Sequence, residues 1–412
     1  MKCAAALIAT AFLLIASASQ AQNPLDNLFG DKPKPGQGQP PAGGAQQPAP
    51  PTSVRPRAGI PPVGARAASE WTILVYMAAD SNLDPAAVAD VKEMEQVGSS
   101  EEVKIVVFLD RSGNSQYNRA GWKGARQALI LGNPGGGEIR SFDPNQPTCE
   151  QLGEVDSGNV ATFQRFVQWG TSKYPARRNA LVIWNHGGGW RSVDAGSAKS
   201  LAREICWDYS TGNYIFNRQL REALEQVGVR YDLIGMDACL MGMIEVAYEF
   251  KDLTGTFVAS SQNVPGAGFD YTPFLRSLRS NPSMSGADLA QQILQSYGNS
   301  YQQNSQEKLV TLSVIRTDQV PPLVQSLNSL LQQIQREAQQ QVAIPYRDSL
   351  VNARRKADCI SAKKNIYVDL GEFLGGVAQD QQVSPGLRDA ANQTVRLYQS
   401  AVVSHYSKPE SA

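Results

Sequence analysis

Two short stretches of the chain hold residue types that do covalent chemistry when brought together. One reads Asn185-His186-Gly187-Gly188-Gly189-Trp190 and the other Met236-Asp237-Ala238-Cys239, and each follows an apolar run rich in β-branched residues. A thiol becomes an effective nucleophile beside a base, and imidazole has the basicity for that task near neutral pH. The chain has 2 histidines. The other, His405, lies far downstream in Ser404-His405-Tyr406-Ser407, so histidine-dependent catalysis falls to His186 by elimination. Cys239 follows His186 by about 50 positions, the spacing of caspase-type nucleophiles, in an order that excludes a papain-like arrangement. The three glycines after His186 permit close approach of a substrate backbone. A helical pattern is expected to begin directly after Cys239, at Leu240, which would set the thiol at a helix N-terminus and favour the thiolate.

For the two stretches to meet, neighbouring strands must deliver them to one edge of a sheet. Strands are expected at 71–77, 103–110, 128–131, 180–184, 233–236, 256–260 and 309–315. Amphipathic segments at 85–96, 160–173, 217–227 and 240–250 repeat apolar residues every three or four positions. The alternation predicts an α/β fold with a mostly parallel sheet and helices on both faces. In such sheets ligands bind at the carboxyl ends of strands, where 180–184 and 233–236 both terminate in candidate residues. Gln-rich helical segments at 321–340 and 387–404 add a C-terminal helical extension.

The chain divides by composition. Residues 1–21 have the layout of a signal peptide: Lys2, an apolar run over 3–15, then small residues. The run is too short to span a bilayer and no later stretch is longer, so the chain is expected to be exported without stable membrane insertion. Residues 22–68, rich in Pro, Gln, Gly and Ala, cannot bury a core and read as a linker or pro-segment. One large α/β domain is placed at 69–305 and a mainly helical region at 306–412. Lys plus Arg (38) equals Asp plus Glu (38), and no basic stripe interleaved with aromatics occurs, which argues against a nucleic-acid partner. The cysteines are widely spaced, without CxxC or Cys/His pairs, so no metal site is expected. Cys149, Cys206 and Cys359 read as structural, their pairing undetermined.

Five pieces in order, Trp71-Thr72-Ile73-Leu74-Val75-Tyr76-Met77-Ala78-Ala79-Asp80, Leu152-Gly153-Glu154-Val155, the His186 and Cys239 stretches, and Pro265-Gly266-Ala267-Gly268-Phe269-Asp270-Tyr271, resemble the clostripain family of cysteine peptidases. The resemblance covers roughly 200 residues and implies the caspase-like fold shared with legumains and gingipains. It implies His186 as catalytic base, Cys239 as nucleophile, and protein or peptide substrates cleaved after Arg or Lys. Asp237 resembles the acidic residue of the family's specificity pocket, where a carboxylate suits a guanidinium through paired charge-assisted hydrogen bonds. Asp270 is a second candidate, and this chain departs from the family in reading Ser260-Ser261-Gln262-Asn263 where relatives often carry acidic residues. Trp190 is read either as lining the substrate cleft or as buried. The backbone N–H groups of Gly187 and Cys239 are the expected oxyanion donors. Relatives often cut themselves in the region of the small-residue loop 194–203, so autocleavage is expected after Lys199 or Arg203. Nothing in the sequence requires a cofactor; relatives can depend on calcium, though no EF-hand-like ligand ladder occurs. Two other classes stay open. His-Gly-Gly-Gly-Trp also resembles an oxyanion motif of α/β-hydrolase esterases, but no Gly-x-Ser-x-Gly elbow accompanies it. The same fold also serves catalytically silent binding proteins.

Overall fold

Strands buried on both faces read as continuous apolar runs, and the centre of this molecule is built from them. The computed structural model describes residues 69–118, 121–190, 204–304, 309–339, 350, 352–353 and 367–408. In chain order the strands are β1 (Ser69–Ala79), β2 (Val103–Arg111), β3 (Gly124–Leu129), β4 (Cys149–Gly153), β5 (Ala176–Trp184), β6 (Glu204–Ile205), β7 (Ile215–Phe216), β8 (Leu233–Asp237), β9 (Thr256–Ala259), β10 (Val310–Arg316) and β11 (Val402–Lys408). Nine of them form one sheet in the order β11-β10-β9-β8-β5-β1-β2-β3-β4, and β6 and β7 make a separate ribbon. The five central strands, β9, β8, β5, β1 and β2, run parallel. The two at each side are antiparallel.

Alternate residues of β1 serve opposite faces, as the period of a strand requires. Trp71, Ile73, Val75 and Met77 join the core under α1 (Asp84–Glu95), α5 (Tyr271–Ser280) and α6 (Gly286–Gln303). On the other face Tyr76 stacks on Phe108, with ring centroids 4.5 Å apart, and meets Phe163 of α2 (Val160–Lys173) edge-on. Next to α2 lies α3 (Asn217–Val227), followed by the short α4 (Ile244–Glu249). A smaller cluster around Leu330, Leu374 and Leu387 joins α7 (Val320–Gln339), α8 (Leu370–Gln379) and α9 (Pro385–Ala401).

The expected mostly parallel sheet, its two helical layers and a helical C-terminal segment are all present. Two local readings are corrected. The final helix stops at Ala401 rather than at 404, and the chain turns into β11, whose residues alternate in exposure as an edge strand's do. The helix expected from Leu240 begins only at Ile244. Leu240 itself has φ +63°, a left-handed backbone incompatible with the first turn of a helix.

Candidate active site

Strands β5 and β8 pair in parallel with Trp184 opposite Asp237, so the residues that follow each strand emerge side by side. Asn185 fastens that edge: its backbone N–H donates to Asp237 O at 3.3 Å and its Oδ1 accepts from Trp207 N at 2.9 Å. Its Nδ2 donates to Ala78 O at the end of β1. The next residue, His186, places Nε2 2.8 Å from Asn82 Oδ1, and the Tyr209 hydroxyl donates to the same oxygen at 2.9 Å. The imidazole also lies nearly parallel to the Tyr209 ring, at an 11° interplanar angle. An oxygen accepting from both groups leaves His186 Nδ1 as the basic nitrogen. Burial lowers the His186 pKa, which keeps the ring neutral at pH 7.

Gly187 lies directly against the nucleophile candidate. A Cβ at this position would sit 2.4 Å from Cys239 O, so no larger residue fits. Cys239 occupies a turn, not a helix N-terminus. The N–H of Leu240 donates to Gln262 O at 3.0 Å and that of Gly242 to Ser260 O at 2.7 Å, which holds the turn to the segment after β9. The sulfur accepts from Val264 N at 3.4 Å. Burial pushes the Cys239 thiol up; the N–H groups of Val264, Cys239 and Gly187 draw it back, and the nearby Asp237 pushes it further up. The resting pair is therefore a thiol and a neutral imidazole. This corrects the expectation of a helix-stabilised thiolate: six-residue α4 starts too far along the chain to act on the sulfur.

His186, Gly187, Asp237, Cys239, Val264 and Gly268 line one cavity of about 370 Å³. Asp237, 4% exposed, accepts at Oδ2 from Phe269 N at 3.0 Å and from the Tyr271 hydroxyl at 3.1 Å, while Oδ1 has no hydrogen-bond partner. Gly268, at φ +58°, passes so close that a Cβ would lie 2.8 Å from Asp237 Oδ2. Burial pushes the Asp237 carboxyl up to about 7 despite these two donors. Helix α1 adds two more acids. Asp90 accepts from Trp184 Nε1 at 2.7 Å, and Glu93 accepts from Tyr271 N at 2.9 Å. Burial, then the Asp237 charge, pushes Asp90 well up, and burial pushes Glu93 up to about 7.

The structure thus brings together His186, Gly187, Asp237 and Cys239. Asp270 stands at the start of α5, outside the cavity's lining. Trp190 lines a neighbouring cavity of about 710 Å³, together with His405 and Tyr367. Lys199, Arg203 and Cys359 lie outside the described residues. Cys149 and Cys206 are free thiols. Among the described residues no three His, Cys, Asp or Glu side chains are grouped to hold a metal. No described helix is long and apolar enough to cross a membrane. Sequence reasoning missed Asn82, Tyr209, Asp90 and Glu93. Asn82 had a usable signal, since it follows β1 at the same carboxyl edge as the candidate pair.

The model of the Clostripain family matches residues 75–411. The clostripain of Hathewaya histolytica is 28% identical over 235 residues, 53% of this chain and 44% of its own length, so the chain spans less than half of that relative. A secreted C11 cysteine protease from Bacteroides thetaiotaomicron, solved with an irreversible peptide inhibitor, superposes with a TM-score of 0.58 at 21% identity, over 82% of this chain and 85% of that one. An inactive zymogen C11 protease from Parabacteroides distasonis gives 0.56 at 17% identity, over 84% and 86%. These two likenesses show the fold.

Proposed function

The chain belongs to the clostripain family of cysteine peptidases, and from that premise we propose that it is an exported endopeptidase that cleaves after Arg or Lys, with Cys239 as nucleophile and His186 as base. The observation that carries this reading is the convergence of a thiol, an imidazole and a buried carboxylate with one unpartnered oxygen on a single cavity at the strand ends. His186 Nδ1 takes the Cys239 proton as the sulfur attacks the scissile carbonyl. The C–N bond then breaks, the imidazolium protonates the leaving amine, and water hydrolyses the thioester. The N–H groups of Gly187 and Cys239, which draw the thiol's titration down, are the donors assigned here to the developing oxyanion. Asn82 and Tyr209 fix the imidazole. Asp237 Oδ1 offers a basic side chain the acceptor it needs.

Export rests on the signal-like residues 1–21, and self-processing on Lys199 and Arg203 in the loop between the two catalytic stretches. The esterase alternative would need His405 as base, and that residue sits in β11 on the other cavity. One variant tests both parts of the proposal. Cys239→Ala should abolish cleavage of an Arg-terminated reporter, and mass spectrometry should show two chains for the wild type and one for the variant. Retained activity in the variant would refute the assignment of the nucleophile. An uncut wild-type chain would remove self-processing while leaving the peptidase reading intact.

A further inference from the structure

One carboxyl, Asp237, lines the active-site cavity, and three more stand near it outside the lining. Asp237 presents its free Oδ1 there, fully buried. Asp90 and Glu93 approach from α1, joined to the same frame by the Trp184 indole and the Tyr271 backbone. Asp270 adds a fourth acid at the start of α5. None of the four makes an ion pair among the described residues, whereas Asp84, buried at the start of the same helix as Asp90 and Glu93, does. The other titratable groups facing Asp237 are Tyr271 at the start of α5, Tyr297 of α6, Cys239 beyond β8, and His186 across the cavity. Every one of these is neutral or acidic in the resting protein.

A cluster of like charges cannot stay fully ionised out of water without a cation. In the absence of substrate at least one of these carboxyls must therefore hold a proton. We propose that Asp90 and Glu93 are specificity residues acting through Asp237, and that a guanidinium or ammonium entering the pocket drives a carboxyl proton out to solvent, so that preference for basic substrates is set by pH. The bookkeeping is one cation in and up to one proton out, with the buried charge left nearly constant. This inference rests on the reading of Asp237 as the specificity acid.

The balance of groups dictates the sign. Below neutrality the carboxyls are largely protonated, and a basic side chain must pull a proton off before it can be held. Above it the carboxylate is already formed. Burial holding Asp237 and Glu93 up to about 7 puts that crossover near neutral pH. A neutral isostere such as citrulline gains nothing from ionisation of the floor.

The test compares two reporter peptides that differ only in Arg or citrulline before the scissile bond, from about pH 5.5 to about pH 8.5. Titration of Cys239 and His186 is common to both and cancels in the ratio. For the wild type the Arg-to-citrulline ratio of kcat/KM should rise at least about tenfold over that range, carried by KM rather than kcat. In Asp90→Asn, which keeps an acceptor for Trp184 Nε1, the rise should shift to lower pH by about one unit. Glu93→Gln should shift it the same way by less. Calorimetry on Cys239→Ala with the uncut Arg peptide near pH 6.5, in buffers of different ionisation enthalpy, should count a net release of protons, and the citrulline peptide should give none. A strong preference for Arg with a flat ratio and no proton release would overturn the inference. A ratio near one at every pH would instead remove the basic specificity on which it rests.

Discussion

Helix α1 carries buried Asp84 at its start and buried Asp90 and half-buried Glu93 further along, and the two places treat their acids differently. At its start Asp84 is gripped by Arg111, with Nη2 2.6 Å from Oδ1 and Nε 2.9 Å from Oδ2, and Ser112 N donates to Oδ2 at 3.1 Å. Arg111 is fixed in turn by Asn118 Oδ1 at 3.0 Å and by the Trp122 ring 5.0 Å away. Two turns further on, Asp90 and Glu93 feel the charge of Asp237 and have no cation partner among the described residues. The first arrangement is finished by the protein itself. The second has no cation among the described residues, and under the proposed basic specificity a substrate side chain would supply one.

The largest effect should come from breaking the finished end. Arg111→Met strands Asp84 in the interior, and unfolding by denaturant should report a loss of about 3–5 kcal/mol. The Arg-to-citrulline ratio of the molecules still folded should be unchanged. At the unfinished end the pattern should reverse. Asp237→Asn keeps acceptors for Phe269 N and Tyr271 Oη and should cost little stability, while kcat/KM on an Arg reporter falls about a hundredfold, or roughly 2–3 kcal/mol. Equal losses of stability in the two variants would erase the distinction between Asp84 and Asp237.

A smaller effect concerns pH. Asp237 is raised from 3.8 to about 7, so the folded state binds more protons than the unfolded one between those values. Stability from this source is complete below about pH 4 and is lost as pH rises through about 7. The melting temperature should therefore decline by several degrees from mildly acid to mildly alkaline solution. Glu93→Gln removes one of the repelling charges and should flatten that decline, as differential scanning calorimetry would show.

How far the sequence revealed this molecule depended on the physics of each part. The buried parallel strands were legible because a strand with no wet face has no choice of composition, as in Val103–Arg111. Helices Val160–Lys173 and Asn217–Val227 were legible to the residue, since their apolar stripes are regular. Val402–Lys408 was not, because its alternating polar residues continue the helical spacing of the segment before it and only pairing with β10 makes it a strand. His186 and Cys239 announced themselves by type and by their places after strands. Asp90 and Glu93 did not: on a helix they read as ordinary acids, and their meaning comes from β8 and Tyr271, distant in the chain. The position of Leu240 was equally hidden. Its backbone is dictated by hydrogen bonds to the segment after β9, not by local propensity.

That segment has a further consequence. Ser260, Ser261 and Gln262 are tied to the Thr311 hydroxyl, at 3.0, 3.2 and 3.2 Å, and Thr311 lies in register with Ser407 of β11. The wall beside the sulfur is thus buttressed by strands encoded well after Cys239. During synthesis the reactive atoms leave the ribosome before the parts that shape their cleft exist, which separates the making of the thiol from its arming.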